Sequence, residues 1–166
     1  MKFNDLYMEQ SAPRLVLPFA VGEFRFAIEL LDIVEVVPAY TVLRIPAAGG
    51  AVLGMLNYRG DVVPLLDLAH RCNDRGGDVT TWQTFIVCGR DGACCAMLAD
   101  EVFDLVEATG DAASGYQPSA SFSTVILVDE QPMPVLDIAR LLEETRATRF
   151  SIDDERTQRF VEEVLP

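Results

Sequence analysis

Along this chain, apolar β-forming residues gather in short runs, and the runs are separated by breaks rich in glycine, proline and acids. Short β-rich runs bounded by such breaks read as strands. Four hairpins follow from turn chemistry set between such runs. Residues 15–19 and 24–28 flank Val21-Gly22-Glu23, and residues 53–58 and 62–66 flank Arg59-Gly60-Asp61. Residues 85–88 face 93–97 across Gly89-Arg90-Asp91-Gly92, and 125–128 face 133–136 across Asp129-Glu130-Gln131. Residues 34–37 and 103–106 add a strand to each half, giving five short strands per half. Closure removes the bare edges that short strands would leave, so two small antiparallel barrels are expected.

Part of this pattern occurs twice. Pro64-Leu-Leu-Asp-Leu-Ala69 matches Pro134-Val-Leu-Asp-Ile-Ala139. At nearly the same spacing Ala27-Ile28 falls on Ala96-Met97, and Ile33-Val-Glu-Val36 on Val102-Phe-Asp-Leu105. Two related halves result, each one supersecondary unit. Residues 73–78 are polar and glycine-rich and read as the link, while 38–50 and 109–123 read as long loops, the first partly extended around 42–45. Single helical turns are expected at 30–32 and 137–142. A longer helix is expected at the C-terminus, where Ser151 or Asp153 can cap a segment through Val164. Phe160, Val161, Val164 and Leu165 form its apolar stripe.

With 166 residues and 50% hydrophobic content, the chain can fill one domain or two fused subdomains. No apolar run approaches the ~20 residues that span a bilayer, and the start carries no signal-like apolar region, so a cytoplasmic protein without membrane insertion is expected. The net charge of −13 disfavours nucleic acid and anionic lipid. Most of that charge lies in residues 91–166, either as a solubilising surface or as an acidic face for a basic partner. Cys72, Cys88, Cys94 and Cys95 lack metal-ligand spacing, and His70 is the only histidine; reduced core cysteines are expected, with no metal and no cofactor.

Candidate chemistry is sparse. His70 and Cys72 could be imagined as a dyad, but neighbours two apart at a strand end rarely align for catalysis. No phosphate-binding loop or dinucleotide fingerprint occurs. Arg59, lifted on a turn between two apolar strands, suits bidentate pairing with a carboxylate, and Glu35 is the acid expected to meet it.

The string Gly54-x-x-Asn57-x-Arg59-Gly60-x-Val62-x-Pro64-x-x-Asp67-Leu68 resembles the core signature of CheW-like domains, the coupling adaptors of bacterial chemotaxis. Ile33-Val-Glu35-Val36 is similar to that family's opening segment, and Ala96-Met-Leu-Ala-Asp100-Glu-Val102 to its second-half motif. Ala96 stands where the family usually has Gly, and Ala99 where it has Val. The resemblance implies an all-β chain of two five-stranded SH3-like β-barrels over residues 14–142, the first at about 14–72 and the second at about 80–142. An N-terminal extension (1–13) and a helical C-terminal extension (143–166) flank them. It further implies a non-enzymatic adaptor, recruited to receptor arrays, that joins the tips of methyl-accepting chemoreceptors to the regulatory domain of a histidine kinase. On this analogy Glu35 and Arg59 contact partners and Gly54 lies beside an apolar inter-barrel groove. Ile33, Val36, Leu56 and Val63 would flank a receptor helical hairpin there. The departures suggest a specialised paralogue, such as one serving pilus-driven surface motility. Two other readings remain: a CheW-like sensor that binds a small ligand or only a receptor, and a thiol enzyme built on His70, Cys72 and Cys94-Cys95.

Overall fold

The structure, a computed structural model, describes residues 14–44, 52–71, 79–111 and 121–147. The first half runs β1 (Arg14–Val21), β2 (Phe24–Glu29), a 3-10 turn (Leu30–Asp32), β3 (Ile33–Pro38), β4 (Leu43–Arg44), β5 (Val52–Tyr58), β6 (Asp61–Leu66) and α1 (Leu68–Arg71). The second runs β7 (Thr84–Arg90), β8 (Ala93–Ala99), β9 (Glu101–Val102), β10 (Val106–Asp111), β11 (Phe122–Val128), β12 (Gln131–Leu136) and α2 (Ile138–Ala147). All four expected hairpins are present in antiparallel register.

The sheets are not the two consecutive barrels read from the sequence. One sheet has the order β10-β11-β12-β2-β1-β9, and β1 also pairs with β10, so that five strands form a ring. The other has the order β3-β7-β8-β6-β5-β4. Each half lends its first hairpin to the other half's sheet. β2 lies parallel to β12 through Ala27 and Val135, and β8 lies parallel to β6 through Ala96 and Leu65. These two contacts are equivalent under the sequence repeat, since Ala27 matches Ala96 and Leu65 matches Val135. The division into 14–72 and 80–142 is therefore corrected: crossing over gives each hairpin a partner strand from the far half and makes both sheets share one core.

That shared core holds Leu17, Phe19, Phe26 and Ile28 from one sheet, Leu66, Ile86, Cys88, Cys95 and Met97 from the other, and Ile138, Leu141 and Leu142 of α2. A second cluster, including Leu56, Val63, Leu65, Phe85 and Val87, belongs to the β3–β8 sheet. A third, including Val16, Ala27, Ile126, Met133 and Val135, belongs to the ring. Packed side chains fill the core between the two sheets, where Leu66 and Ile86 are essentially fully buried.

The repeated Pro-x-Leu-Asp string has a clear physical role. In each half it ends a strand and starts a helix, with the aspartate at the N-cap. Asp67 Oδ1 accepts from Ala69 N at 2.9 Å, and Asp137 Oδ1 from Arg140 N at 3.1 Å. His70 therefore belongs to a helical turn rather than a strand end. The turn expected at 137–142 extends to α2, a helix of 10 residues. The strand expected at 103–106 is instead split into β9 and β10, and β10 runs into the segment read as a loop. The helix read between Ser151 and Val164, Cys72 and the link at 73–78 lie outside the described residues.

Candidate partner-binding site

Asn57 builds the tip that carries Arg59. Its Oδ1 accepts from Gly60 N at 2.8 Å, closing the turn, while its carbonyl accepts from the Tyr40 hydroxyl at 2.8 Å. Arg59 (φ 53°) and Gly60 (φ 94°) both take left-handed backbone, as a two-residue hairpin turn of this hand requires. A Cβ at Gly60 would meet nothing, so glycine serves conformation there and not space.

The Arg59 side chain is 71% exposed, and its Nη2 donates to Glu35 Oε2 at 2.8 Å. Its guanidinium carbon lies 5.3 Å from the centroid of the Tyr58 ring. The Tyr58 hydroxyl donates to the same Glu35 oxygen at 2.5 Å. That bond to a carboxylate pushes the Tyr58 hydroxyl pKa up, because losing the proton would set two anions together. The pairing expected between Arg59 and Glu35 is present. It spans from β3 at one edge of the sheet to the β5–β6 tip near the other.

The remaining site candidates separate by depth. Val36 is exposed and stands next to Glu35 on β3, and Ile33 is half-buried against the shared core. Leu56 and Val63 face each other in register across β5 and β6 and are only 2% and 3% exposed. They are core residues and cannot flank a partner helix, because strand alternation turns them inward beside Phe85 and Val87. Gly54 is buried too. A Cβ there would stand 2.3 Å from the Leu43 carbonyl oxygen and 2.8 Å from Val42 Cγ1, so this glycine lets β4 lie against β5.

Exposed apolar residues outside the expected contact set include Val34 next to Glu35 on β3, Val62 after the Arg59 tip, and Leu15, Leu31 and Leu105. Leu31, 91% exposed, crowns the 3-10 turn. The next residue, Asp32, is buried and accepts from Arg90 Nε at 2.8 Å, which holds that turn against β7. Burial raises the Asp32 carboxyl pKa above its usual 3.8, although Arg90 opposes it. Leu15 shares a face of β1 with Leu17 of the shared core, and Leu105 immediately precedes Val106, the register partner of Val16. The only available signal for these positions was apolar character next to a strand end, which also marks core residues.

Asp100 and the cysteines have structural roles. Asp100 Oδ2 accepts from Gly22 N at 2.6 Å and Oδ1 from Gln83 Nε2 at 2.7 Å, tying the β1–β2 turn to the segment before β7. Cys88 and Cys95 pair across β7 and β8, both buried. Burial pushes the Cys95 thiol up to about 12 and Cys88 well above its ordinary value, the opposite of an activated nucleophile. Among the described residues, no group of three or more His, Cys, Asp and Glu could hold a metal ion.

A sequence profile of the CheW-like domain matches residues 15–146. The chain belongs to the CheW-like domain family. Its members are non-enzymatic scaffolding proteins, so this surface is read as a place of contact and not of catalysis. The probable chemotaxis protein CheW of Rhizobium etli is 23% identical over 143 residues, covering 81% of this chain and 90% of that protein. The chemotaxis protein CheW of Rhizobium meliloti is 27% identical over 127 residues, covering 72% and 81%. The crystal structure of the scaffolding protein TtCheW from Thermoanaerobacter tengcongensis superposes with a TM-score of 0.64 at 18% identity, over 75% of this chain and 89% of that one. This CheW-like chain thus shares the all-β fold. No helix among its described residues is long and apolar enough to cross a membrane.

Proposed function

We infer that this chain is a cytoplasmic adaptor that couples methyl-accepting chemoreceptors to the regulatory domain of a histidine kinase within membrane-associated arrays. The observation that carries this reading is the exposed Arg59–Glu35 pair at the hairpin tip, with exposed Val62 following in the same hairpin. A charged anchor with apolar surface nearby is what a folded partner can recognise, the fork of Arg59 fixing orientation. Leu15, Leu31 and Leu105 are further exposed apolar residues that offer contact area to a helical hairpin.

Ala96 and Ala99 are fully buried, so these departures alter packing and leave partner surfaces alone. A specialised role such as pilus-driven surface motility is carried, within this proposal, by the acidic second half. The small-ligand reading is disfavoured because side chains fill the junction between the sheets.

Calorimetric titration against the regulatory domain of each histidine kinase from the same organism tests the adaptor reading. Micromolar binding (about −8 kcal/mol) that is lost in Arg59→Ala supports it. Folded protein that binds none of them refutes kinase coupling.

A further inference from the structure

Among the described residues the chain passes from one sheet to the other at two places. β2 leads into β3 through the 3-10 turn Leu30–Asp32, and β8 leads into β9 through Asp100 alone. The sequence repeat sets Leu31 on Asp100. The two crossovers use this position in opposite ways. Asp100 is tied down, accepting from Gly22 N and Gln83 Nε2, whereas Leu31 is 91% exposed.

In the first crossover the flanking residues hold the turn instead. Glu29, just before it, pairs with Arg14 of β1, and Asp32, its last residue, pairs with Arg90 of β7. One bond thus reaches into each sheet. Arg90 donates to Asp32 Oδ1 from Nε at 2.8 Å and from Nη2 at 2.5 Å, and Asp32 is only 4% exposed. Taking a carboxylate out of water costs so much that well-packed apolar residues of similar volume often hold a site at least as firmly as a buried ion pair. What the guanidinium fork adds over apolar packing is direction. The direction it fixes is that of the turn, and Leu31 is the residue the turn sends outward. A lone projecting leucine fits the hole among four side chains on a helix surface, the kind of surface a helical hairpin presents. We propose that Arg90 is a positioning residue for receptor binding, holding Leu31 through Asp32 as an apolar knob that seats on the helical hairpin of the receptor tip. This inference rests on the adaptor reading and deepens its receptor side.

The test is calorimetric titration of the full chain with the cytoplasmic helical-hairpin fragment of a chemoreceptor from the same organism. Leu31→Ala should weaken binding about tenfold, the scale of truncating a contact residue. The double variant Asp32→Leu with Arg90→Met fills the same space without directional bonds. It should keep its melting temperature, keep its affinity for the kinase regulatory domain, and lose about as much receptor affinity as Leu31→Ala. Adding Leu31→Ala to that double variant should weaken binding no further, because Arg90 acts through Leu31. Unchanged receptor affinity in the double variant overturns the proposal, as do losses that simply add. A melting temperature far below that of the wild type also overturns it, since the pair would then be holding the fold and not the knob. Wild-type protein that binds the kinase domain but not the receptor fragment would sink the receptor side of the adaptor reading itself, and the proposal with it.

Discussion

Arg59 reaches from a hairpin tip to Glu35 on an edge strand and places its Nη2 2.8 Å from a carboxylate oxygen that Tyr58 also uses. The pair is asymmetric in its consequences. Arg59→Ala removes one exposed ion pair, for which about 0.2–1 kcal/mol is expected. Glu35→Ala removes the acceptor of both donors and should lower the melting temperature more. Both variants should lose kinase-domain binding in calorimetry. If Arg59→Ala unfolded as readily as a core deletion, the tip would be structural and its role in recognition would fall.

Gly54 admits no side chain without moving β4, because the obstacle is the backbone oxygen of Leu43 and not a flexible side-chain end. Gly54→Ala should destabilise the protein by roughly 1–3 kcal/mol. Faster hydrogen exchange should appear first around Leu43 and Arg44. Unchanged stability would show that β4 yields without cost.

Depth separates Leu56 from Val36 although both were expected on one partner surface. Leu56→Ala should cost about 2–5 kcal/mol in urea unfolding, as for a buried leucine left as a cavity. Val36→Ala should stay within about 0.5 kcal/mol and act on partner affinity instead. Equal losses of stability would contradict the burial of one and the exposure of the other.

The acid range should reveal Asp32. Its carboxyl holds a proton more tightly in the folded state than in the unfolded chain, burial being the larger cause. Its stabilising contribution is greatest below the unfolded value of 3.8 and falls as pH rises from there to the higher folded value. The stability of the wild type relative to Asp32→Asn should therefore decline across that window and then level off. A relative gain for the wild type with rising pH would mean that the Arg90 bonds outweigh burial.

Local chemistry was legible in the chain itself. Gly22 after Val21, Gly60 after Arg59 and Gly92 after Asp91 mark three turns, and the polar Asp129-Glu130-Gln131 the fourth, so all four hairpins could be read from neighbouring residues. The pairing of Arg59 with Glu35 was legible too, because the chain offered a lifted cation and an acid in an otherwise apolar strand. What tertiary structure alone decided was which hairpin joins which sheet. Ala27 could have met a strand of its own half; that it meets Val135 depends on the free energy of one core shared by both halves, which no local window contains. The same non-local packing decided depth. Leu56, Val63 and Val36 are equally apolar in the sequence, but only the facing strands determine which of them water reaches.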